Sequence, residues 1–178
     1  MKTHLYVTFF LISYFFFLPT SCSDNSINET ESVKASLPSG FITKNDLGPA
    51  LKVNDAKANS LRSHELLIEG FIGGRKKPFT DNRAVFILGD DSLETCDEIP
   101  GDHCPTPWDA CCEDRKKIAS SIISIQVLDK NGSLVEGTLD GVSGLRAGCR
   151  VKVRGNISKK STAQAFIINA RQIQLMPN

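Results

Sequence analysis

The sequence lacks a surplus of charge of either sign, because its 178 residues carry 21 Lys and Arg against 20 Asp and Glu. Such a chain has no strong field with which to attract polyanions or anionic lipid. Histidine is scarce, with three in the chain, and there is no Gly-x-Ser-x-Gly elbow, His-Glu-x-x-His pair or phosphate-binding glycine loop. These absences, in a length that allows one domain or two small ones, exclude a multidomain enzyme and predict a non-enzymatic protein.

Apolar residues are concentrated at the N-terminus. Five of the ten Phe fall within the first 17 positions, inside an apolar run of 14 residues from Leu5 to Leu18. A bilayer span needs about 20 apolar residues, so this run is too short to cross a membrane and fits the apolar region of an export signal. Residues 1–21 are therefore predicted to be a signal peptide.

Small residues then lead directly into Cys22, which is followed by the polar run Ser23-Asp24-Asn25-Ser26. This segment resembles the cleavage box of bacterial lipoproteins, in which the cysteine becomes the lipidated first residue. The resemblance implies lipidation at Cys22, a membrane partner and a periplasm-facing place in the cell envelope. Ser23 after the cysteine favours the outer membrane. The alternative is an ordinary secretory signal cut near Ser21 or Ser23.

Residues 22–60 are rich in Ser, Asn, Glu, Lys and Ala, with breakers at Pro38-Ser39-Gly40 and Gly48-Pro49. The few apolar residues show no sustained period, so the segment buries too little apolar area to offset its ordering entropy. It is predicted to be a flexible tether, with a short helix near Lys52–Leu61 as the alternative. The folded domain is predicted to span residues 61–178.

From residue 64 onward the pattern becomes strand-like. Runs rich in β-branched residues are separated by turn signals such as Asn131-Gly132, and Arg150–Gly155 alternates polar and apolar residues strictly. The runs are Leu66–Gly74, Arg83–Asp90, Ile122–Asp129, Arg150–Gly155 and Ala165–Leu175. Five strands with little helix predict an all-β fold, and closure into a barrel removes exposed sheet edges.

The order of these runs resembles the OB-fold family. Gly70 lies within the first strand, Ala84–Asp90 matches the second-strand pattern, and Gly148–Gly155 matches the late Gly-x-x-Val-x-Val-x-Gly pattern. The resemblance implies a small five-stranded barrel that binds through its second and third strands and the loops after its first and fourth. The chain departs from the family pattern because it has no convincing helix between the third and fourth strands.

Those two loops are basic. The first contains Arg75, Lys76, Lys77 and Phe79, and the second contains Lys159 and Lys160. They predict an anion- or saccharide-binding mouth in which Phe79 stacks on the ligand, while ordinary solvated lysines are the alternative. The expected function is an envelope-tethered module that binds a protein, peptide or glycan, and export argues against nucleic acid as the ligand.

A cysteine-rich insert, residues 91–120, separates the second strand from the third. Cys96, Cys104, Cys111 and Cys112 fall within 17 positions around the single tryptophan, Trp108. Nine acids and no Lys or Arg lie between Arg83 and Arg115. Outside the insert, Cys149 is predicted to pack as a small buried residue.

Two interpretations of the insert remain open. In an oxidising compartment the four cysteines predict two disulfides, in which Cys96 and Cys104 each pair with one of the two neighbours, and Trp108 supplies a small core. The alternative is a metal-binding or redox site in which the thiolates, with His103 as a substitute ligand, hold Zn²⁺ or Cu(I). The first interpretation implies no cofactor.

Overall fold

Strands form in this chain where apolar side chains alternate with polar ones along an extended backbone. In the computed structural model, which describes residues 32–58, 65–162 and 164–177, Val151 and Val153 are buried while Lys152 and Arg154 are partly exposed. The strands are β1 (Ile42–Thr43), β2 (Leu51–Lys52), β3 (Glu65–Ile72), β4 (Val85–Gly89), β5 (Ile122–Val127), β6 (Arg150–Ile157) and β7 (Ile167–Leu175). The helices are α1 (Val53–Ala58) and α2 (Arg115–Ser120), with 3₁₀ turns at Cys96–Glu98 and Val142–Gly144.

Five of these strands close into a barrel. Antiparallel pairing joins β3 to β4 and β6, β4 to β5, and β6 to β7, while β5 and β7 pair in parallel and complete the circuit. The predicted five-stranded, OB-fold-like barrel with a cysteine-rich insert between its second and third strands is confirmed. Between β5 and β6 the described residues contain no α-helix, and the only helical element there is the three-residue 3₁₀ turn Val142–Gly144.

Gly70 is needed where β3 passes from one neighbouring strand to the other. It faces Val151 of β6 in the register, and the next residue, Phe71, already pairs with Gly89 of β4. A Cβ atom at Gly70 would lie 2.3 Å from the carbonyl oxygen of Gly89. Any larger residue here would therefore push the two strands apart.

The interior is divided into two apolar clusters. The main cluster fills the barrel and includes the fully buried Phe86, Ile68 and Leu88. A smaller cluster lies beneath the insert and consists of Phe71, Leu93, Ala110 and Ile118, with Ile122 packed against it. Cys149 is buried, as predicted.

Residues 32–58 are not the flexible tether that the sequence predicts, because they pack on the barrel and belong to the same compact unit. β1 pairs in parallel with β7, and β2 pairs in parallel with β3. In α1, Val53 and Ala56 have no exposed surface and join the main apolar cluster. Two-residue strands and one short helix leave no sustained period in the sequence, although Ile42 of β1 packs partly buried against the main cluster and α1 contributes two fully buried side chains. The rest of the predicted tether, residues 22–31, 59 and 60, lies outside the described residues.

The signal peptide and the lipidation position Cys22 also lie outside the described residues. Within 32–58, 65–162 and 164–177, no helix is both long enough and apolar enough to span a bilayer.

Candidate functional site

The insert is fastened to the barrel where it begins and where it ends. Its first turn is organised by the buried carboxylate of Asp90, which accepts hydrogen bonds from the backbone N–H of Ser92 at 3.0 Å and of Asn54 at 2.9 Å. The backbone N–H of Asp90 donates to the carbonyl oxygen of Ser121 at 2.9 Å, which joins the two ends of the insert. Asp91 forms a two-pronged ion pair with Arg150 on β6 and a further pair with Lys52.

The acidic insert and the basic β3–β4 loop are joined by backbone contacts around Trp108. Gly74 N–H donates to the carbonyl oxygen of Trp108 at 2.8 Å, and the indole N–H donates to the carbonyl oxygen of Lys76 at 3.2 Å. A Cβ atom at Gly73 would lie 2.5 Å from the Trp108 carbonyl oxygen, so the close approach requires glycine there. The prediction that Trp108 forms the core of the insert is wrong. The small apolar cluster does this, and the partly exposed indole lines a cleft beside it.

Several of the insert's acids stabilise its turns. Glu98 accepts from the N–H of Thr95 at 2.9 Å, Asp102 from the N–H of Cys104 at 3.0 Å, and Asp114 caps α2 through Lys116 and Lys117. Carboxylates suit these positions because the exposed N–H groups of turns and helix starts need acceptors. These acids therefore order a loop that has little apolar surface of its own.

Backbone pairing brings cysteines that are distant in sequence together. Cys96 N–H donates to the carbonyl oxygen of Asp109 at 2.8 Å, and Asp97 N–H donates to that of Pro107 at 3.3 Å. The 3₁₀ turn that starts at Cys96 thus runs beside the segment that leads into Cys111. The Sγ atoms of Cys96 and Cys111 lie 3.4 Å apart.

The Sγ atoms of Cys96, Cys104 and Cys111 all lie within 4.8 Å of one another, and we refer to these three as the thiol triangle. Cys96 is 2% exposed and forms the buried corner, while Cys104 is half-buried and Cys111 is exposed. Cys112 lies outside the triangle, although its Sγ is 4.0 Å from that of Cys111. His103 is exposed and is not part of the triangle.

The thiols of the triangle differ in acidity. The hydroxyl of Thr106, 3.3 Å from the Cys104 sulfur, and the backbone N–H of Thr106 lower the pKa of Cys104 by stabilising its thiolate. Burial and the neighbouring thiols of Cys111 and Cys104 raise the pKa of Cys96 to about 12. The neighbouring Cys111 raises the pKa of Cys112. Thr106 thus favours the thiolate form of Cys104, whereas a nearby cation would be needed to ionise Cys96 at neutral pH.

All cysteines within the described residues are free thiols: Cys96, Cys104, Cys111, Cys112 and Cys149. The structure therefore contains neither of the predicted disulfides in this part of the chain. Instead, the sulfurs of Cys96, Cys104 and Cys111 are mutual neighbours, and that of Cys112 lies 4.0 Å from the sulfur of Cys111. Spacing along the sequence carries no signal for this arrangement, because it depends on the pairing of residues 96 and 97 with residues 107 and 109.

The two basic loops line two different clefts, so they do not form the shared mouth that the sequence suggests. Lys76, Lys77 and Phe79 border a cleft of about 360 Å³ beside Trp108, and Lys159 and Lys160 border another of about 1010 Å³. Arg75 is exposed in the first loop.

Phe79 packs onto the barrel. Its ring lies 6.0 Å from that of Phe86, and the side chain is half-buried against the main cluster. At most one side of the ring is therefore available to a ligand. Nor do the acids of the insert form their ion pairs with the basic loops, because Asp91 pairs with Arg150 and Lys52 and Glu113 pairs with Lys117.

No family model, curated protein or solved structure matches this chain. Its class is defined by the fold and the site: a small OB-fold-like barrel that carries a thiol-rich insert. Three residues of the site were not predicted from the sequence. Arg150 and Lys52 hold the start of the insert through Asp91, and Thr106 stabilises the thiolate of Cys104. Thr106 carried a detectable signal, because a hydroxyl two residues from a cysteine is within reach of its sulfur.

Proposed function

We propose that this protein binds a thiophilic metal ion, Zn²⁺ or Cu(I), through the thiol triangle of Cys96, Cys104 and Cys111. The observation that carries the proposal is the mutual proximity of the three sulfur atoms, all within 4.8 Å. Zn–S bonds are about 2.3 Å long, so sulfurs that share one tetrahedral ion lie about 3.8 Å apart. A disulfide joins only two sulfurs, at about 2.05 Å, and leaves the third without a role.

The surroundings of the triangle support a cation. No Lys or Arg lies between Arg83 and Arg115, so the stretch of chain that holds the three cysteines contains no cationic side chain to neutralise their thiolates. The Cys104 thiolate is stabilised by Thr106, whereas Cys96 is too deeply buried to ionise alone. A divalent or soft monovalent ion would stabilise the thiolate forms of both cysteines, since metal binding drives deprotonation of its ligands.

Affinity measurements on single variants test the proposal. We expect Cys96→Ser, Cys104→Ser and Cys111→Ser each to weaken Zn²⁺ binding by on the order of a hundredfold or more, measured by competition with a chromophoric chelator under reducing conditions. Cys149→Ala is the matched control, because Cys149 is buried outside the triangle, and it should bind as the wild type does. Equal affinity in all four variants would refute the assignment.

We also propose that the chain is exported and held to a membrane by a lipid on Cys22, facing the periplasm. The apolar run of Leu5–Leu18, followed by small residues and a cysteine, supports this. Labelling cells with a radioactive fatty acid tests it. Wild type should incorporate label and fractionate with membranes, and Cys22→Ser should lose the label. Unlabelled wild type in the soluble fraction would contradict the anchor.

A second candidate function, binding of a protein, peptide or glycan, is supported by the cleft beside Trp108. The charged side chains that border this cleft form no ion pair within the described residues: Lys76, Lys77, Asp81, Asp140 and Arg146. Unpaired charges of both signs around an indole are suited to a polar ligand with one flat apolar face. Because Trp108 is the only tryptophan, its fluorescence reports on this cleft. Titration with acidic oligosaccharides should shift the emission of wild type and not that of a Lys76→Ala, Arg146→Ala variant.

A further inference from the structure

The thiol triangle supplies too few ligands to close a four-coordinate site. Among the described residues, no fourth His, Cys, Asp or Glu ligand atom lies within 4.8 Å of all three sulfurs. Cys112 is not within that distance of all three, although its Sγ lies 4.0 Å from that of Cys111, and Asp102 already accepts the N–H of Cys104. Structural zinc sites take four protein ligands, whereas sites with three keep one position for a ligand from outside.

The triangle is also open to solvent on one side. Cys96 is its buried corner, while Cys104 is half-buried and Cys111 exposed. An ion held by the three sulfurs would therefore be reachable from solvent on the side of Cys104 and Cys111, where a remaining coordination position could be filled. A molecule in solution could reach that position without any rearrangement of the barrel.

We propose that the bound metal keeps an open coordination position, which accepts a neutral nitrogen donor of the imidazole type, such as a histidine side chain of a partner peptide. This inference rests on the proposed metal-binding function and adds the class of ligand. Three thiolates and the acids of the insert would make the surroundings negative, and the carboxylate of Asp102 lies beside Cys104, whose backbone N–H it accepts at 3.0 Å. An anionic ligand would be repelled there, whereas a neutral donor would not.

The test uses the full chain loaded with Co²⁺, whose visible spectrum reports the coordination of the ion. Imidazole is added as the neutral probe and azide as the anionic one. We expect imidazole to change the spectrum saturably, with one imidazole bound per ion, and azide to bind at least tenfold more weakly. Cys112→Ser and His103→Gln should give the wild-type response, because neither residue belongs to the triangle.

Two results would overturn the open position, and a third would overturn the assigned class of ligand. If imidazole has no effect and Cys112→Ser alters the Co²⁺ spectrum, Cys112 is the fourth ligand. If only His103→Gln responds to imidazole, His103 occupies the position in the wild type. If azide binds as well as imidazole, the assigned ligand class is wrong. Failure to take up Co²⁺ or Zn²⁺ under reducing conditions would overturn the proposed function as well, so the two failures are distinguishable.

Discussion

The barrel and the insert are stabilised by different means. The barrel combines a closed circuit of strand pairs with a large cluster of fully buried apolar side chains. The insert rests on four buried apolar residues and on hydrogen bonds from carboxylates to turns. Hydrophobic burial is the main driving force of folding, so we expect the barrel to be stabilised chiefly by its apolar core. The insert buries little, so the proposed ion, which would join three of its residues, would add more to the stability of the insert than to that of the barrel. The comparison is therefore between a scaffold with a large apolar core and an insert with little core of its own, which by our proposal depends on a metal ion.

Loss of the barrel core should have the largest effect. We expect Phe86→Ala to lower the free energy of unfolding by about 4 kcal/mol, because a fully buried ring is removed from the main cluster. Denaturant unfolding followed by circular dichroism measures this. Leu134→Ala is the control, since that side chain is 36% exposed, and it should change the free energy by less than about 1 kcal/mol.

Loss of the small apolar cluster should unfold the insert at a lower denaturant concentration than the barrel. Leu93→Ala removes a side chain that is 2% exposed, at a cost of about 2–3 kcal/mol confined to the insert. Trp108 fluorescence should shift at a lower denaturant concentration than the barrel's circular dichroism signal. Coincident loss of both signals would show that the insert and barrel form one cooperative unit.

Removal of the proposed metal should destabilise the insert and leave the barrel nearly unchanged. A chelator under reducing conditions is expected to speed amide exchange at Cys96, whose N–H bonds to Asp109, by on the order of tenfold. Amides of β6, such as that of Val153, should change by less than about twofold. Hydrogen exchange read by NMR measures both sites in one sample. Equal acceleration of the two would contradict a metal effect confined to the insert.

The ion pairs at the junction should contribute least. Arg150, followed by Lys52, lowers the pKa of Asp91, so the stabilisation by Asp91 is present at neutral pH and is lost as the pH falls through that lowered value. We expect Asp91→Asn to lower the free energy of unfolding by about 1 kcal/mol at pH 7 and to flatten its decline in acid. Asp81→Asn, which removes an exposed acid without an ion pair among the described residues, is the control. An unchanged acid profile in Asp91→Asn would contradict this role.

The barrel was predictable because each of its five strands leaves an alternating or continuous apolar run. Among the short elements, α1 agrees with the alternative of a short helix near Lys52–Leu61, whereas α2, with Ile118 as its one buried residue, was not predicted. The sequence singled out the cysteines of the insert as its reactive residues. Which of them lie together depends on the backbone pairing of residue 96 with residue 109 across a loop. No periodicity encodes such a contact. The prediction that Trp108 forms the core of the insert failed for a similar reason. The position of Trp108 is set by its contacts with Gly73 and Gly74, which its own hydrophobicity does not reveal.

The most direct test of the thiol triangle is a joint count of metal and accessible thiols on wild type purified under reducing conditions. Elemental analysis should give one zinc or copper ion per chain. Cys96, Cys104 and Cys111 should resist alkylation until a chelator is added, while Cys112 reacts at once. A metal-free chain that stays metal-free after incubation with Zn²⁺, or one in which Cys96 and Cys104 are each joined by a disulfide to Cys111 or Cys112, would contradict the metal centre.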